Sequence, residues 1–114
     1  MSDMSSLRHF IIPEGITRMG DYAVMNNPNL EWFIIPSTVT IIDWGASRVI
    51  GGNPKLRYIQ INAVTPPALN GSAISGNNNE YIIYVPDKSV EVYKAAVMWN
   101  TYSSRIKPIS EFAE

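Results

Sequence analysis

The residues of this sequence that could carry out acid–base or nucleophilic chemistry form no recognisable catalytic motif. The chain has one histidine, His9, and no cysteine. No serine or aspartate motif accompanies His9, so a surface position on a strand suits it better than the role of a catalytic base. Ser103 and Ser104 belong to no nucleophile motif. Because an enzyme needs paired titratable groups in a pocket, the sequence predicts a protein without catalytic activity.

Metal, phosphate and nucleic-acid sites are not indicated either. A thiolate or imidazole metal site has too few ligands here. The glycines at 51–52 and the run at 76–80 lack the strand, helix and lysine of a phosphate-binding loop. The formal net charge is −1, which provides no positive field for a nucleic-acid backbone. We therefore expect no cofactor, no metal and no nucleic-acid partner.

Contact chemistry is better represented than reaction chemistry. Tryptophan, tyrosine and arginine are the residue types enriched among the side chains that dominate protein interfaces. The candidate binding residues are Trp32, Tyr58, Tyr84, Arg8, Arg57 and His9. Whether they can meet one partner depends on the elements that carry them.

Those elements follow from an internal repeat. The phrase LRHFIIP returns as LEWFIIP, and three aligned units span residues 7–29, 30–55 and 56–80. A fourth unit begins at Tyr81 and keeps only the strand and its proline. The leucines that open the first three units are 23 and 26 residues apart. Both spacings fall in the range typical of leucine-rich repeats.

Apolar residues at the first, fourth and sixth positions of each unit predict a short strand with these side chains pointing inward. They are Leu7, Phe10, Ile12, Leu30, Phe33, Ile35, Leu56, Ile59 and Ile61. Pro13, Pro36 and Pro86 should end the strands, because proline cannot donate to a ladder. A second inward set should comprise Ile16, Met19, Val39 and Ile42. Turns are predicted at Ala23, Ala46 and Ala73, and a corner ladder at Asn27, Asn53 and Asn77.

The remaining strand positions predict three outward rows on the sheet. The rows are Arg8, Glu31, Arg57 and Tyr81; then His9, Trp32, Tyr58 and Ile82; and then Ile11, Ile34, Gln60 and Tyr84. Two interpretations stay open at this point. The aromatic members pack on one another across the strands, or they form an exposed surface that binds a partner.

The C-terminal segment reads as a cap that covers the last unit. Asp87 or Ser89 is predicted to cap a helix that begins near Val90. One face of that helix should carry Val90, Tyr93, Val97 and Met98. Trp99, as a core plug, should continue the apolar seam with Tyr102 and Ile106, and Pro108 should end the structure.

The repeats resemble the BspA-like leucine-rich repeats of bacterial surface proteins. That family's phrase is approximately LxxLxLPxxLTxIGxxAFxxCxx, and residues 7–29 follow it with Val24 in the phenylalanine place and Asn27 in the cysteine place. The tail IYVPDKSVEVYKAAVMWNTYSSRIKPIS is similar to the segment that closes many such arrays in Bacteroidetes proteins. The resemblance implies a cell-surface or secreted setting and binding to other molecules, and it brings no catalytic residue.

The sequence thus predicts a repeat solenoid of the α/β class. It should be a short right-handed leucine-rich-repeat coil of three to four repeats with a small helical cap. Residues 1–6 are predicted to be a disordered or tag-like tail, 7–86 the array and 87–114 the cap. The predicted function is a non-catalytic binding or adhesion module for a protein or glycan partner, acting through the strand-lined face. The alternative is a structural element that self-associates.

Targeting and assembly are predicted from the two ends of the chain. No signal peptide is recognisable at the N-terminus, and no apolar run is long enough to insert in a membrane. The first repeat has no cap like the C-terminal one. Either a longer array or another chain should cover it. The sequence therefore predicts a homodimer formed through the N-terminal repeat.

Overall fold

The computed structural model of the protein describes residues 8–18, 24–25, 29–42, 50–51, 53–69 and 80–111. Short strands dominate this part of the chain. The strands are β1 His9–Ile11, β2 Val24–Met25, β3 Trp32–Ile35, β4 Ile41–Ile42, β5 Ile50–Gly51, β6 Tyr58–Ile61, β7 Ala68–Leu69, β8 Ile82–Val85 and β9 Ile106–Pro108. The helix α1 spans Val90–Ala95, and 3₁₀ helices span Asp87–Ser89, Trp99–Arg105 and Ile109–Glu111. These elements form a small α/β fold.

Five strands form one parallel sheet in the order β1-β3-β6-β8-β9. Its register aligns equivalent positions of the repeated units, so that His9 lies beside Trp32 and Trp32 beside Tyr58. Tyr58 in turn lies beside Ile82, in the fourth unit. The repeat in the sequence therefore becomes a side-by-side alignment of strands, with each row of side chains supplied by successive units.

Alternation of burial along the strands gives the sheet one inward face. Leu30, Phe33 and Ile35 are fully buried, and so are their counterparts in the next unit, Leu56, Ile59 and Ile61. Ile12 of the first unit is also fully buried. The predicted inward positions are thereby confirmed, apart from Leu7 and the side chain of Phe10, which lie outside the described part.

Proline ends the strands as predicted. β3 and β8 stop at the residue before Pro36 and Pro86, and β1 stops at Ile11, two residues before Pro13. The chain then turns, and the backbone N–H groups of Ile16 and Val39 donate to the carbonyls of Pro13 and Pro36 over 3.4 and 3.3 Å. A proline at this position fixes the backbone for the turn and removes a donor that the ladder could otherwise use.

Two smaller parallel sheets, β2 with β5 and β4 with β7, complete the strand pairing. Beside the second of them, Arg18 forms a single parallel bridge to Ile41. Val39 and Ile42 are buried as predicted, and Ile16 packs partly buried against the core. Asn53 is also fully buried, and its carbonyl accepts from the Leu56 N–H over 3.1 Å.

Several predictions concern residues outside the described part of the chain. These are the tail at residues 1–6, Met19, the turn alanines Ala23, Ala46 and Ala73, and the corner residues Asn27 and Asn77. In the described part, α1 has six residues, and no helix there is long and apolar enough to cross a membrane.

The helix in the C-terminal segment begins at Val90 as predicted, but its N-terminus is not capped as predicted. Neither Asp87 nor Ser89 accepts a hydrogen bond from the helix. The Ser89 hydroxyl instead donates to the Val64 carbonyl over 2.7 Å, and the Asp87 carboxylate accepts from the Ser110 N–H over 3.0 Å. These side chains therefore join separate segments of the chain and do not cap the helix.

The predicted apolar helix face is wrong beyond Tyr93. α1 ends at Ala95, and Ala96 is already extended. Val97 is 76% exposed and Met98 is 41% exposed. Met98 has a φ of 72°, which is uncommon for a residue other than glycine and is incompatible with a continuing helix. The chain reverses here, so the face that begins at Val90 cannot continue.

Trp99 is the core plug that the sequence predicts. It is 1% exposed, and its ring meets the Tyr93 ring edge-to-face with 5.2 Å between centroids. Tyr102 packs against the same cluster, and Ile106 is fully buried. Pro108, however, does not end the structure. It is the last residue of β9, which pairs with β8, and another 3₁₀ helix follows it.

Candidate functional site

The outward face of the five-stranded sheet carries a row of rings, which we call the aromatic row: His9, Trp32, Tyr58 and Tyr84. The centroids of His9 and Trp32 are 4.7 Å apart, and those of Trp32 and Tyr58 are 5.5 Å apart. The three rings are parallel to within 6° and 7°. Adjacent strands are about 4.8 Å apart, which lies within the range of centroid distances that aromatic pairs prefer, so rings at equivalent positions on adjacent strands can stack.

Tyr84 joins the row from a different register position. It lies beside Gln60 in the ladder, yet its ring meets the Tyr58 ring edge-to-face with 5.6 Å between centroids. Such diagonal neighbours on adjacent strands are within reach of aromatic side chains. The structure thus brings together all four aromatic residues among the predicted candidates.

Burial within the row favours one of the two interpretations left open by the sequence, in which the rings pack on one another. Tyr58 is only 8% exposed, because its neighbours Trp32 and Tyr84 cover the ring from both sides. Trp32 and Tyr84 are half-buried, and His9 is exposed at the sheet edge. Packing of the rings on one another is therefore confirmed, and Tyr58 supports the row more than it offers contact area.

Tyr81, predicted to point outward with the arginines, is 5% exposed. The Arg105 guanidinium lies over its ring at 4.3 Å from the centroid and donates to the Tyr81 carbonyl over 2.8 Å. Burial raises the pKa of Tyr81 to about 12, although the positive charge of Arg105 acts in the opposite direction. Tyr81 therefore belongs to the buried core, with Arg105 over its ring, and not to the outward surface.

A row of charges runs beside the aromatic row. Arg8 donates from Nη2 and Nε to one oxygen of the Glu31 carboxylate, over 2.8 and 3.3 Å. Arg57 approaches the other oxygen at 4.0 Å. The hydrogen bond from Arg8 lowers the pKa of Glu31, and partial desolvation opposes it. The Glu31 partner likewise raises the pKa of Arg8. Arg8 and Arg57 keep side-chain exposures of 71% and 67%.

The third outward row is less polar at the sheet edge than in its middle. Ile11 is 63% exposed, and Ile34 beside it is half-buried. The Gln60 amide donates to the Asn62 side-chain carbonyl over 3.0 Å. The outward face therefore has three parts. They are the apolar pair Ile11 and Ile34, the aromatic row, and a charged border formed by Arg8, Glu31 and Arg57.

The sequence did not indicate the polar rim at the N-terminal ends of the strands. Arg8, Asn29, Glu31 and Lys55 line a surface depression of about 320 Å³. Lys55 Nζ donates to the Asn29 side-chain oxygen over 3.2 Å. Asn29 and Lys55 each precede the leucine that opens a unit, so their shared position in the repeat was a signal that could have placed them together.

The charged groups at the border of this face are already paired with one another. The Glu31 carboxylate accepts from Arg8 and lies 4.0 Å from Arg57. No group of three or more metal-ligating side chains occurs among the residues that the structure describes. The arrangement offers apolar contact, ring edges and two exposed guanidinium groups to a partner.

No protein-family model matches the chain, and no curated protein matches it at a significant level.

Proposed function

We propose that the chain is a non-catalytic binding module that holds a protein partner against the outward face of the five-stranded sheet. The observation that carries this proposal is the stacked row of His9, Trp32 and Tyr58, with ring planes within 7° of parallel. Rings fixed by their neighbours lose little side-chain entropy when a partner binds, so their contact area is available at low cost.

The orientation of the rings favours a protein over a glycan. Trp32 lies between His9 and Tyr58, so both faces of its indole are covered. A sugar stacks its C–H groups on a free ring face, and the middle of this row has none. Ring edges and an indole N–H are instead what Trp32 can present, and these suit the apolar side chains and carbonyl oxygens of a polypeptide.

The border of the face adds selectivity to this apolar contact. Arg8 and Arg57 lie on the two sides of Glu31 and retain most of their side-chain exposure. Arginine at the rim of an interface acts mainly on orientation and on the rate of association. We therefore propose a partner surface that combines an apolar centre with one or more acidic side chains beside it.

We further propose that the fold is a short leucine-rich-repeat solenoid with a C-terminal cap, related to the BspA-like repeats, and that it works at a bacterial cell surface. The aligned register of successive units supports the solenoid. The resemblance of the sequence supports the family and the setting. Detection of the folded protein by antibodies on intact, unpermeabilised cells tests the setting.

A binding screen with matched variants tests the proposed face. The wild-type chain and the Trp32→Ala variant are applied to a panel of extracellular proteins and to a glycan array. We expect protein ligands for the wild type, and dissociation constants raised at least about tenfold in Trp32→Ala, because a central aromatic anchor is commonly worth 2 kcal/mol or more.

Val92→Ala provides the control, because Val92 is an apolar side chain of α1 that is 54% exposed and lies outside the aromatic row. It should bind every ligand as the wild type does. Ligands that bind Trp32→Ala as tightly as the wild type would contradict the proposed face. Binding confined to glycans would contradict the proposed partner class.

A further inference from the structure

The outer side of β1 has backbone hydrogen-bonding groups that bond to no other residue in the described part of the chain. In the pairing of β1 with β3, the Ile12 N–H donates to the Ile34 carbonyl over 3.0 Å, and the Arg8 carbonyl accepts from the Glu31 N–H over 2.7 Å. In a parallel ladder the residues that bond to one neighbour alternate with those that face the other side. The N–H and carbonyl groups of His9 and Ile11 therefore point away from β3.

The opposite edge of the sheet is protected. β9 carries Lys107 and Pro108, and a lysine or a proline on an edge strand prevents another strand from pairing there. The C-terminal segment also covers the third unit through three side-chain donors. The Tyr93 hydroxyl donates to the Ala63 carbonyl over 2.6 Å, and the Trp99 Nε1–H donates to the Pro67 carbonyl over 2.8 Å. The third donor is the Ser89 hydroxyl, which donates to the Val64 carbonyl. Among the described residues, none plays such a part beside β1.

We propose that the open edge of β1 pairs with the same edge of a second copy of this chain, in antiparallel orientation about a two-fold axis. A two-fold axis requires that the edge be complementary to itself. Antiparallel pairing centred on residue 10 places His9 opposite Ile11 of the other copy. Each such pair exchanges two backbone hydrogen bonds, so the symmetric contact contains four.

Side chains around β1 support this register. Ile11 is 63% exposed in the single chain, and in the dimer the His9 ring of the other copy covers it. Arg8 lies diagonally across from Glu14 of the other copy, within reach of long side chains on neighbouring strands. Glu14 is exposed and has no ion pair within the described residues. Two opposite-charge contacts therefore form, one on each side of the axis.

The protected edge at β9 makes the assembly finite. An open edge that pairs with itself is used up in the dimer, and the other edge does not accept a strand. The proposal is thus a closed dimer with a sheet continuous across both copies. The contact uses His9 and Arg8 at one end of the proposed binding face, whereas Trp32 and Tyr58 lie on the inner strands β3 and β6 and stay outside it.

Solution mass measured from about 1 µM to about 1 mM tests the dimer directly, since weak self-association lies in this range of dissociation constants. We expect the mass to rise from one chain to two and to stop there. A mass of one chain at the highest concentration overturns the proposal. Masses that continue to increase beyond two chains also overturn it, because they require a second open edge.

Two variants of Ile11 separate backbone pairing from apolar association. Ile11→Pro removes an N–H on the open side while leaving the bonds to β3 intact, and symmetry removes it from both copies. The dimer dissociation constant should rise roughly tenfold or more. Ile11→Thr keeps the N–H and should raise the dimer dissociation constant less, by about threefold at most. Equal weakening by both substitutions contradicts backbone pairing.

Amide hydrogen exchange checks the register without a substitution. The amides of His9 and Ile11 should become protected as the concentration rises, whereas the Ile12 amide should be protected throughout because it already donates to Ile34. Protection of His9 and Ile11 that does not depend on concentration would mean that the same chain covers the edge, and would overturn the proposal. Trp32→Ala should leave the mass unchanged, which distinguishes this result from loss of partner binding.

Discussion

Glu31 shows how one side chain organises the border of the outward face. It accepts two hydrogen bonds from Arg8 and lies 4.0 Å from Arg57, so that successive units are linked through one carboxylate. Surface ion pairs contribute little to stability individually. Their value here is geometric, because the carboxylate fixes where the Arg8 guanidinium is presented beside the aromatic row.

The lowered pKa of Glu31 predicts a specific response to acid. A carboxylate whose folded pKa lies below its unfolded value stabilises the fold above the unfolded pKa, about 4.3, and this stabilisation is lost as the pH falls through the folded pKa. Glu31→Gln should therefore be slightly less stable than the wild type at pH 7 and indistinguishable from it at the lowest pH. Urea unfolding at several pH values between 7 and 2.5 measures this.

Glu111→Gln is the matched control, because Glu111 is exposed in the last 3₁₀ helix and forms no ion pair within the described residues. It should follow the wild type at every pH. High salt should also reduce the difference that Glu31→Gln makes, since exposed charges are screened. A Glu31→Gln difference that persists at low pH would show that the lost interaction is not electrostatic.

At the scale of elements, the C-terminal segment is attached by hydrogen bonds as much as by apolar packing. The side chains of Ser89, Tyr93 and Trp99 are all buried, and each donates to a carbonyl of residues 63–67. A buried carbonyl that loses its donor costs more than the average net value of a hydrogen bond. These donors therefore determine which surface the segment can cover.

Removal of single donors tests this attachment. Tyr93→Phe should lower the free energy of unfolding by about 1–2 kcal/mol, because it leaves the buried Ala63 carbonyl unpaired. Ser89→Ala should lower it by about 1 kcal/mol, because its hydrogen bond to Val64 is only partly buried. Ser104→Ala should change it by less than about 0.5 kcal/mol, because Ser104 is exposed. Urea unfolding at pH 7 compares the three variants. A cost for Ser89→Ala no larger than that for Ser104→Ala would mean that water replaces the lost donor.

The whole molecule shows which features could be predicted from the sequence and which could not. The inward strand positions and the prolines that end strands follow from local chemistry, so Phe33, Ile59 and Pro36 were placed correctly. The burial of Tyr58 and Tyr81 depends on side chains from other units. A row assignment alone could not show that Arg105 covers one and that neighbouring rings cover the other.

The helix face failed for a related reason. Val97 and Met98 continue the helical spacing of Val90 and Tyr93 in the sequence, but the chain leaves the helix before it reaches them. The turn at Met98 brings Trp99 into the core, and this packing outweighs the local periodicity. The candidate binding residues could be identified from their residue types. That their rings stack in the aromatic row could be seen only from the register of the strands.

Stability of the whole molecule should decrease in alkaline solution. Burial raises the pKa of Tyr81 to about 12, and it also raises the pKa values of Tyr93 and Tyr102. A phenol whose folded pKa lies above its unfolded value, about 10, stabilises the fold fully below pH 10. That stabilisation is lost as the pH rises towards the folded pKa, so the free energy of unfolding should fall steadily above pH 10.

Tyr81→Phe isolates one of these contributions. The variant keeps a ring beneath Arg105 and should match the wild type at pH 7. Between pH 10 and 11.5, its loss of stability should be smaller than that of the wild type by about 1–2 kcal/mol, because the buried phenol no longer resists ionisation. Urea unfolding across this range measures the difference. Parallel curves for the two proteins would show that Tyr81 ionises in the folded state without cost.

The departure of the third unit from the repeated phrase has a consequence for how such a chain can vary in length. Its segment from Ala63 to Pro67 supplies the three carbonyls that receive Ser89, Tyr93 and Trp99. Upstream units could be duplicated or deleted without touching these acceptors, whereas a change in this segment would release the terminal segment. Residues 63–67 therefore determine which unit can be the last one, because only a unit that contains these acceptors can bind the C-terminal segment.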